Sequence, residues 1–268
     1  DVFDSRWLGR GNFVKEFEDE LSLFMKIPHE EITTMSCCSD AIFGVIRLLA
    51  KENVKRKKVL VPSISFPAIG SAVIDNDLEL IIVDTEETTG NVCLKSLPLD
   101  SYDDVLAIFI THYGGNPVDI SKLREIVGND VYILEDSACA LGSVLRDGTA
   151  VGSKGDFSCW SFDAMKLLVA GEGGAARFQD PELLNKFKES LYLGLPASQK
   201  SGIDQSDKIG NWWSYELNDF GRRSVFTNTN AAIALPQFNS LSDKIERRNW
   251  IRHEYIKYME KNIKLEVA

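Results

Sequence analysis

Residues 156–174 read DFSCWSFDAMKLLVAGEGG and place one amine, that of Lys166, just behind an apolar and aromatic run. Phe157-Ser158-Cys159-Trp160-Ser161-Phe162 has the composition of a short buried strand, and Gly171, Gly173 and Gly174 follow the lysine. A lysine packed in such a place gives up its proton more readily than one in water, because burial disfavours the charged form. The neutral amine is then a nucleophile able to condense with an aldehyde. The competing reading is a lysine that packs its stem at a strand end and leaves its head in solvent.

Three further positions could serve such chemistry. Asp136 directly follows the apolar run Val131 to Leu134, so its carboxylate stands where a strand leaves the core, either to cap the next element or to meet a ligand. Phe66 follows VLVPSIS in the same way and offers either an aromatic face or core packing. Ser39 or Asp40 reads as the N-cap of the helix AIFGVIRLLA, whose free amides and dipole could bind phosphate or simply be capped.

The elements that must position these residues alternate. Phe13, Phe17, Leu21 and Phe24 recur at helical spacing and predict a first amphipathic helix ending before Pro28. From residue 58 to 135, KVLVPSIS, LELIIVD, DVLAIFITH and DVYILED read as strands, with helix-like FPAIGSAVID and VDISKLREIVG between them. Near-continuous Val/Ile/Leu runs alternating with helices predict a parallel sheet covered on both faces. Ligands gather at the carboxyl ends of such strands. A last strand over Ala175 to Phe178, a helix opening at Asp180-Pro181 and a charged helix from about Leu241 complete the pattern. Between them GLPASQKSGIDQSDKIGN runs without periodicity into Trp212-Trp213-Ser214-Tyr215, an aromatic group that could stack on a ligand or pack in the core.

Composition narrows the class. The net charge of −10 disfavours non-specific attraction to nucleic acid or an anionic membrane, so an anionic ligand must be held locally. The one basic cluster, Lys55-Arg56-Lys57-Lys58, reads as a solvated helix C-terminus. No run reaches the roughly 18 apolar residues of a membrane span, and no signal-like segment opens the chain, which points to the cytoplasm. Five scattered cysteines without C-x-x-C spacing, and three separated histidines, indicate neither a disulfide framework nor a metal site.

The motifs SCCSDA, VPSISF, THYGG, EDSACALG, SFDAMK, GEGG and AAIALPQF occur in one collinear order over about residues 9 to 250. In that order the chain resembles the DegT/DnrJ/EryC1/StrS sugar aminotransferases, pyridoxal-phosphate enzymes of the aspartate aminotransferase fold. The resemblance implies a three-layer α/β/α fold with a mostly parallel sheet, a cofactor-binding large domain over 1–238, and the beginning of a C-terminal small domain over 239–268 that looks truncated. It implies that Lys166 is the family's Schiff-base lysine and that Asp136 pairs with the pyridine nitrogen. Ser39, the amide of Asp40 and Ser161 match the phosphate cradle, and Phe66 matches the aromatic that stacks on the ring. Cys139 stands where the family usually has glutamine near the phenolic oxygen, and Arg223 where an asparagine commonly reaches a neighbouring subunit's phosphate. Cys37-Cys38 replaces the more usual asparagine and glycine.

The implied activity is amino transfer from an amino acid, by family habit glutamate, to a nucleotide-linked keto-sugar or a keto-ulosonate, in amino-sugar and polysaccharide biosynthesis. A homodimer with shared active sites is implied, in which Arg223 and residues 195–213 serve the partner. The related sugar dehydratases carry histidine where this chain has Lys166, which favours amino transfer; a member that binds cofactor or sugar without turnover is the alternative. A nicotinamide dehydrogenase would need a glycine-rich strand-to-helix turn early in a βαβ unit, and GEGGAA lies after the lysine and before a strand.

Overall fold

The computed structural model describes residues 2–97, 101–195, 217 and 219–262. Its strands are β1 (Ile32–Met35), β2 (Lys58–Pro62), β3 (Glu79–Val83), β4 (Val105–Thr111), β5 (Tyr132–Asp136), β6 (Phe157–Ser161) and β7 (Gly174–Phe178). They form one seven-stranded sheet in the order β1-β7-β6-β5-β4-β2-β3. The β2–β3, β2–β4, β4–β5 and β5–β6 pairs are parallel, whereas β7 runs against both β1 and β6. The sheet is therefore mostly parallel, as expected, with one reversed strand that the apolar pattern of residues 175–178 did not reveal.

The helices are α1 (Asn12–Met25), α2 (Cys38–Glu52), α3 (Pro67–Asp75), α4 (Ile120–Val127), α5 (Pro181–Ser190), α6 (Asn228–Ala234) and α7 (Leu241–Asn262). Successive strand residues point to opposite faces, and the core divides accordingly. Phe157, Cys159, Leu134, Phe109 and Val61 pack with α2, α3 and α5 on one face. On the other, Ile108, Ile110 and Ile133 pack with α4, and Ile32, Trp160 and Ala175 with α1 and α6. This is a three-layer α/β/α arrangement. Aromatic rings tie the layers together: Phe178 lies 4.7 Å from Phe187 and 5.0 Å from Phe157, and Phe17 lies 5.1 Å from Phe162. Each such pair adds about 0.5–1.5 kcal/mol to what burial alone gives.

Two local expectations are corrected. The sequence ITTM, to which no strand is assigned above, is the strand β1. Both its threonines are buried, and Glu18 accepts from the Thr34 amide (2.8 Å) and hydroxyl (2.7 Å), which removes the cost of hiding that residue. The basic cluster is not a helix end, since α2 stops at Glu52; Arg56 instead donates to the Asp130 carbonyl, and Lys58 opens β2 and pairs with Asp104 at 2.6 Å. The long loop and Trp212 to Tyr215 lie outside the described residues. Among the described residues no helix is long and apolar enough to cross a membrane.

Candidate active site

The register of the sheet brings most of the singled-out residues to one edge. Thr111 at the end of β4 stands beside Asp136 at the end of β5, and Asp136 stands beside Cys159 on β6. Ser161 ends β6 and pairs with Gly174, which in turn pairs with Met35 at the end of β1. Because β7 is reversed, its first residue lies at the edge where the parallel strands end. The chain leaves β1 there through Ser36 and Cys37 into α2.

Gly174 is what lets α2 begin so close. A side chain on it would come within 2.5 Å of the Cys38 amide and 2.6 Å of the Cys37 carbonyl carbon, so only hydrogen fits. The helix starts at Cys38 with Cys37 as N-cap, and neither Ser39 nor Asp40 caps it as expected. Both lie in the first turn. Asp40 faces sideways, where its carboxylate accepts from the hydroxyls of Ser36 and of Ser224, the latter at 2.6 Å. The Ser36 amide donates to the same Ser224 hydroxyl at 3.2 Å, so residues 36, 40 and 224 form one knot at the helix start. Sequence reasoning missed Ser224, because only the fold joins it to α2.

Asp136 is 4% exposed, and its carboxylate accepts from the Ala138 amide at 3.0 Å. Burial raises its pKa above the ordinary carboxylate value, opposed by that amide and by the charges of His112 and Lys166. Lys166 follows β6 on a turn, and its Nζ donates to Cys139 Sγ at 3.4 Å. It is half-buried rather than packed, because the turn carrying it stands outside the sheet and its neighbour Met165 is 86% exposed. Cys139 itself is exposed. Ser161 is buried, and its hydroxyl lies 3.5 Å from the Asp163 amide. The Thr111 hydroxyl is buried beside Asp136 and has no hydrogen-bond partner among the described residues, a polar atom that a bound group would satisfy.

Phe66 and Arg223 complete the expected set. Phe66 is the N-cap of α3 and 61% exposed, offering its ring to solvent rather than to the core. Arg223 forms a bridge with Tyr192 and stacks its guanidinium 5.5 Å from that ring.

Beneath the edge lies a support that the motif EDSACALG held but did not explain. Glu135 is fully buried and accepts from the amides of Gly152 (3.1 Å), Lys154 (3.0 Å) and Gly155, and from His112 Nε2 at 2.8 Å. The Val118 amide donates to Nδ1 of His112, so the ring hydrogen sits on Nε2, facing Glu135. Burial works to raise the Glu135 pKa, but His112 and the amides together hold it below the ordinary value.

The sequence profile of the DegT/DnrJ/EryC1/StrS aminotransferase family matches residues 1–267. The chain belongs to this family. Among its relatives, the dTDP-4-dehydro-2,3,6-trideoxy-D-glucose 4-aminotransferase of Saccharopolyspora spinosa is 32% identical over 95% of this chain, which spans 65% of that protein. The aminotransferase TlmJ of Streptoalloteichus hindustanus superposes with a TM-score of 0.84 at 33% identity, covering 96% of this chain and 66% of the solved one. Spr1654 of Streptococcus pneumoniae, a putative sugar aminotransferase solved in a PLP form, has the same fold with a TM-score of 0.82 at 23% identity, covering 97% and 67%. The chain thus spans about two thirds of the length of these members of the family and its fold relatives.

Proposed function

We propose that this chain is the cofactor-binding part of a pyridoxal-phosphate aminotransferase that moves an amino group from an amino acid, glutamate being the expected donor, to a keto-sugar. The observation that carries this reading is the placing of the Lys166 amine and the buried Asp136 carboxylate at one sheet edge, with the first turn of α2 and the Ser161 hydroxyl alongside. Its relatives' names support a nucleotide-linked keto-sugar and a place in polysaccharide biosynthesis; the family resemblance adds a keto-ulosonate as the other acceptor.

The residues fit the cofactor. An acid for a pyridine nitrogen, an amine for an aldehyde, hydroxyls at Ser39 and Ser161, and free amides at Ser39 and Asp40 for a phosphate all belong to one edge. The unpartnered Thr111 hydroxyl adds a polar atom that a bound group would satisfy. When bound, pyridoxal phosphate supplies an electron sink for the carbanion formed at the donor Cα. Asp136 would pair with the ring nitrogen, and its Ala138 hydrogen bond fixes which way the carboxylate turns. Lys166 Nζ would be the amine that meets the aldehyde and the base that moves a proton to and from the donor Cα. Cys139, within reach of Nζ, offers a thiol in place of an amide, a weaker hydrogen-bond partner.

That thiol favours one second reading, a member that holds cofactor without turnover. The absorption spectrum with pyridoxal phosphate, before and after glutamate, tests both. A visible band that shifts to shorter wavelength with glutamate supports amino transfer; a band that forms and stays supports the binder; no band removes the role given to Lys166. The exposure of Phe66, Met165 and Tyr113 suits cover by a second copy in a homodimer, working in the cytoplasm, with residues 239–268 as the beginning of a small C-terminal domain.

A further inference from the structure

Cys38, Asp136 and Cys159 are far apart in sequence, and their spacing announces no metal site. The fold nevertheless brings them together: all three are buried, and their sulfur and carboxylate oxygen atoms lie within 4.8 Å of one another. Among the described residues this is the group of side chains arranged to hold an ion. Cys159 and Asp136 are cross-strand partners of β6 and β5, and both belong to the face that α2 covers. Cys38 enters from the first residue of α2, held down on the sheet by the side-chain-free Gly174.

We propose that Cys38, Cys159 and Asp136 form a binding site for one thiophilic divalent cation, of the zinc and cadmium class, in the cofactor-free protein. Tetrahedral zinc with bonds of about 2.3 Å to sulfur sets two thiolates about 3.8 Å apart, and the three ligand atoms here already lie within 4.8 Å of one another. Two sulfurs and one carboxylate select against magnesium and calcium, which require more oxygen ligands. The negative charge that binding creates at Cys38 lies at a helix N-terminus, where backbone amides and the dipole stabilise it. The Cys38 thiol beside it, then burial, then the charge of Asp136 hold the Cys159 thiol protonated. Binding therefore breaks two S–H bonds, forms two metal–sulfur bonds and releases two protons to solvent, with no change in oxidation state.

Its consequence, which rests on the proposed role of Asp136, is that the ion and the cofactor compete for one carboxylate. A metal-loaded protein is expected to capture pyridoxal phosphate at least tenfold more weakly.

Cadmium titration of the cofactor-free full chain tests the site directly. One equivalent should raise the ultraviolet sulfur-to-cadmium charge-transfer band. Cys38→Ala and Cys159→Ala should each lose most of it, while Cys93→Ala and Cys139→Ala keep it. A full band in Cys38→Ala, or no band in the folded native chain, overturns the proposal. Should Cys159→Ala fail to fold, X-ray absorption of the zinc-loaded native chain decides: two sulfur neighbours plus oxygen are expected, and none or one refutes it. Asp136→Asn should weaken cadmium binding at least tenfold, and unchanged affinity removes Asp136 from the site. If all of these hold and cofactor capture is still unaffected by the metal, the role of Asp136 toward the cofactor is what fails.

Discussion

Glu135 and Asp136 are consecutive, both buried, and shifted in opposite directions. The cause is the alternation of a strand. Glu135 points into a ring of donors formed by His112 and three amides, which hold its proton off. Asp136 points toward the thiols of Cys38 and Cys159 and has the single Ala138 amide, so burial prevails and its pKa lies above the ordinary carboxylate value. One carboxylate builds the edge; the other is left in a state that a positive partner would relieve.

Replacing the builder should cost stability. Glu135→Ala removes one partner of a buried pair and strands three amides, a change worth about 3–5 kcal/mol. The folded pKa of Glu135 lies below its ordinary 4.5, so the unfolded chain binds more protons in acid. Its contribution is present above that value and is lost as pH falls through it toward the lower folded value. Urea unfolding of the native chain and of Glu135→Ala between pH 3 and 7, roughly the span of ordinary carboxylate titration, should show the two curves converging in acid.

Replacing the other carboxylate should do the reverse in the cofactor-free chain. The folded pKa of Asp136 lies above its ordinary 3.8, so its ionisation destabilises the fold at neutral pH, and the penalty fades as pH falls through the folded value. Asp136→Asn should raise the melting temperature of the cofactor-free protein by about 2–4 °C, the effect of ~1 kcal/mol in a domain of this size. The same variant should slow glutamate-driven amino transfer at least a hundredfold, about 2.7 kcal/mol. Calorimetry and stopped-flow absorbance measure the two effects separately.

Covalent capture is expected to depend on one residue. Lys166→Ala should abolish the visible band and the borohydride-fixed mass increase with pyridoxal phosphate. Its melting should change little, since the amine is half-buried and its hydrogen bond goes to the exposed Cys139 thiol. Cys139→Ala, an exposed change, should move stability within about 0.5 kcal/mol while shifting the position of the band.

The close start of α2 gives a fourth expectation. Gly174→Ala sets a methyl group against the Cys38 amide, and the backbone must yield. A loss of about 1–3 kcal/mol is expected from overpacking, with cofactor affinity falling further than stability alone explains, because the first turn of α2 is displaced. Urea unfolding set beside fluorescence titration with pyridoxal phosphate separates these.

What was legible in the sequence followed from local pattern. The run Phe157 to Phe162 and the alternation from residue 58 to 135 announced buried strands, because continuous apolar residues have no other stable place. Phe17 and Leu21 at helical spacing are buried on α1 as expected. Lys166 and Asp136 stood out because a charge immediately after such a run must leave the core or be held in it. What depends on distant partners was not legible. Asp40 looked like a cap until Ser224, remote in sequence, was found bonded to it. The strand β1 was hidden by two threonines, of which Thr34 is satisfied by the distant Glu18, and the reversal of β7 leaves no trace in GAARF.

That reversal has a mechanical outcome. Ser161 and Gly174 face each other, and the Phe162 amide donates to Gly173 at 2.9 Å, so the segment bearing Lys166 leaves and rejoins the sheet at one point. A second clasp, from the Ala170 amide to the Phe162 carbonyl at 2.8 Å, closes its base. Gln237 holds the returning limb through both backbone groups of Val169, and Leu168 is buried, so the loop is anchored in the core on the far side of the lysine. The place of the amine is thereby set by the same ladder of strands that carries the carboxylate of Asp136.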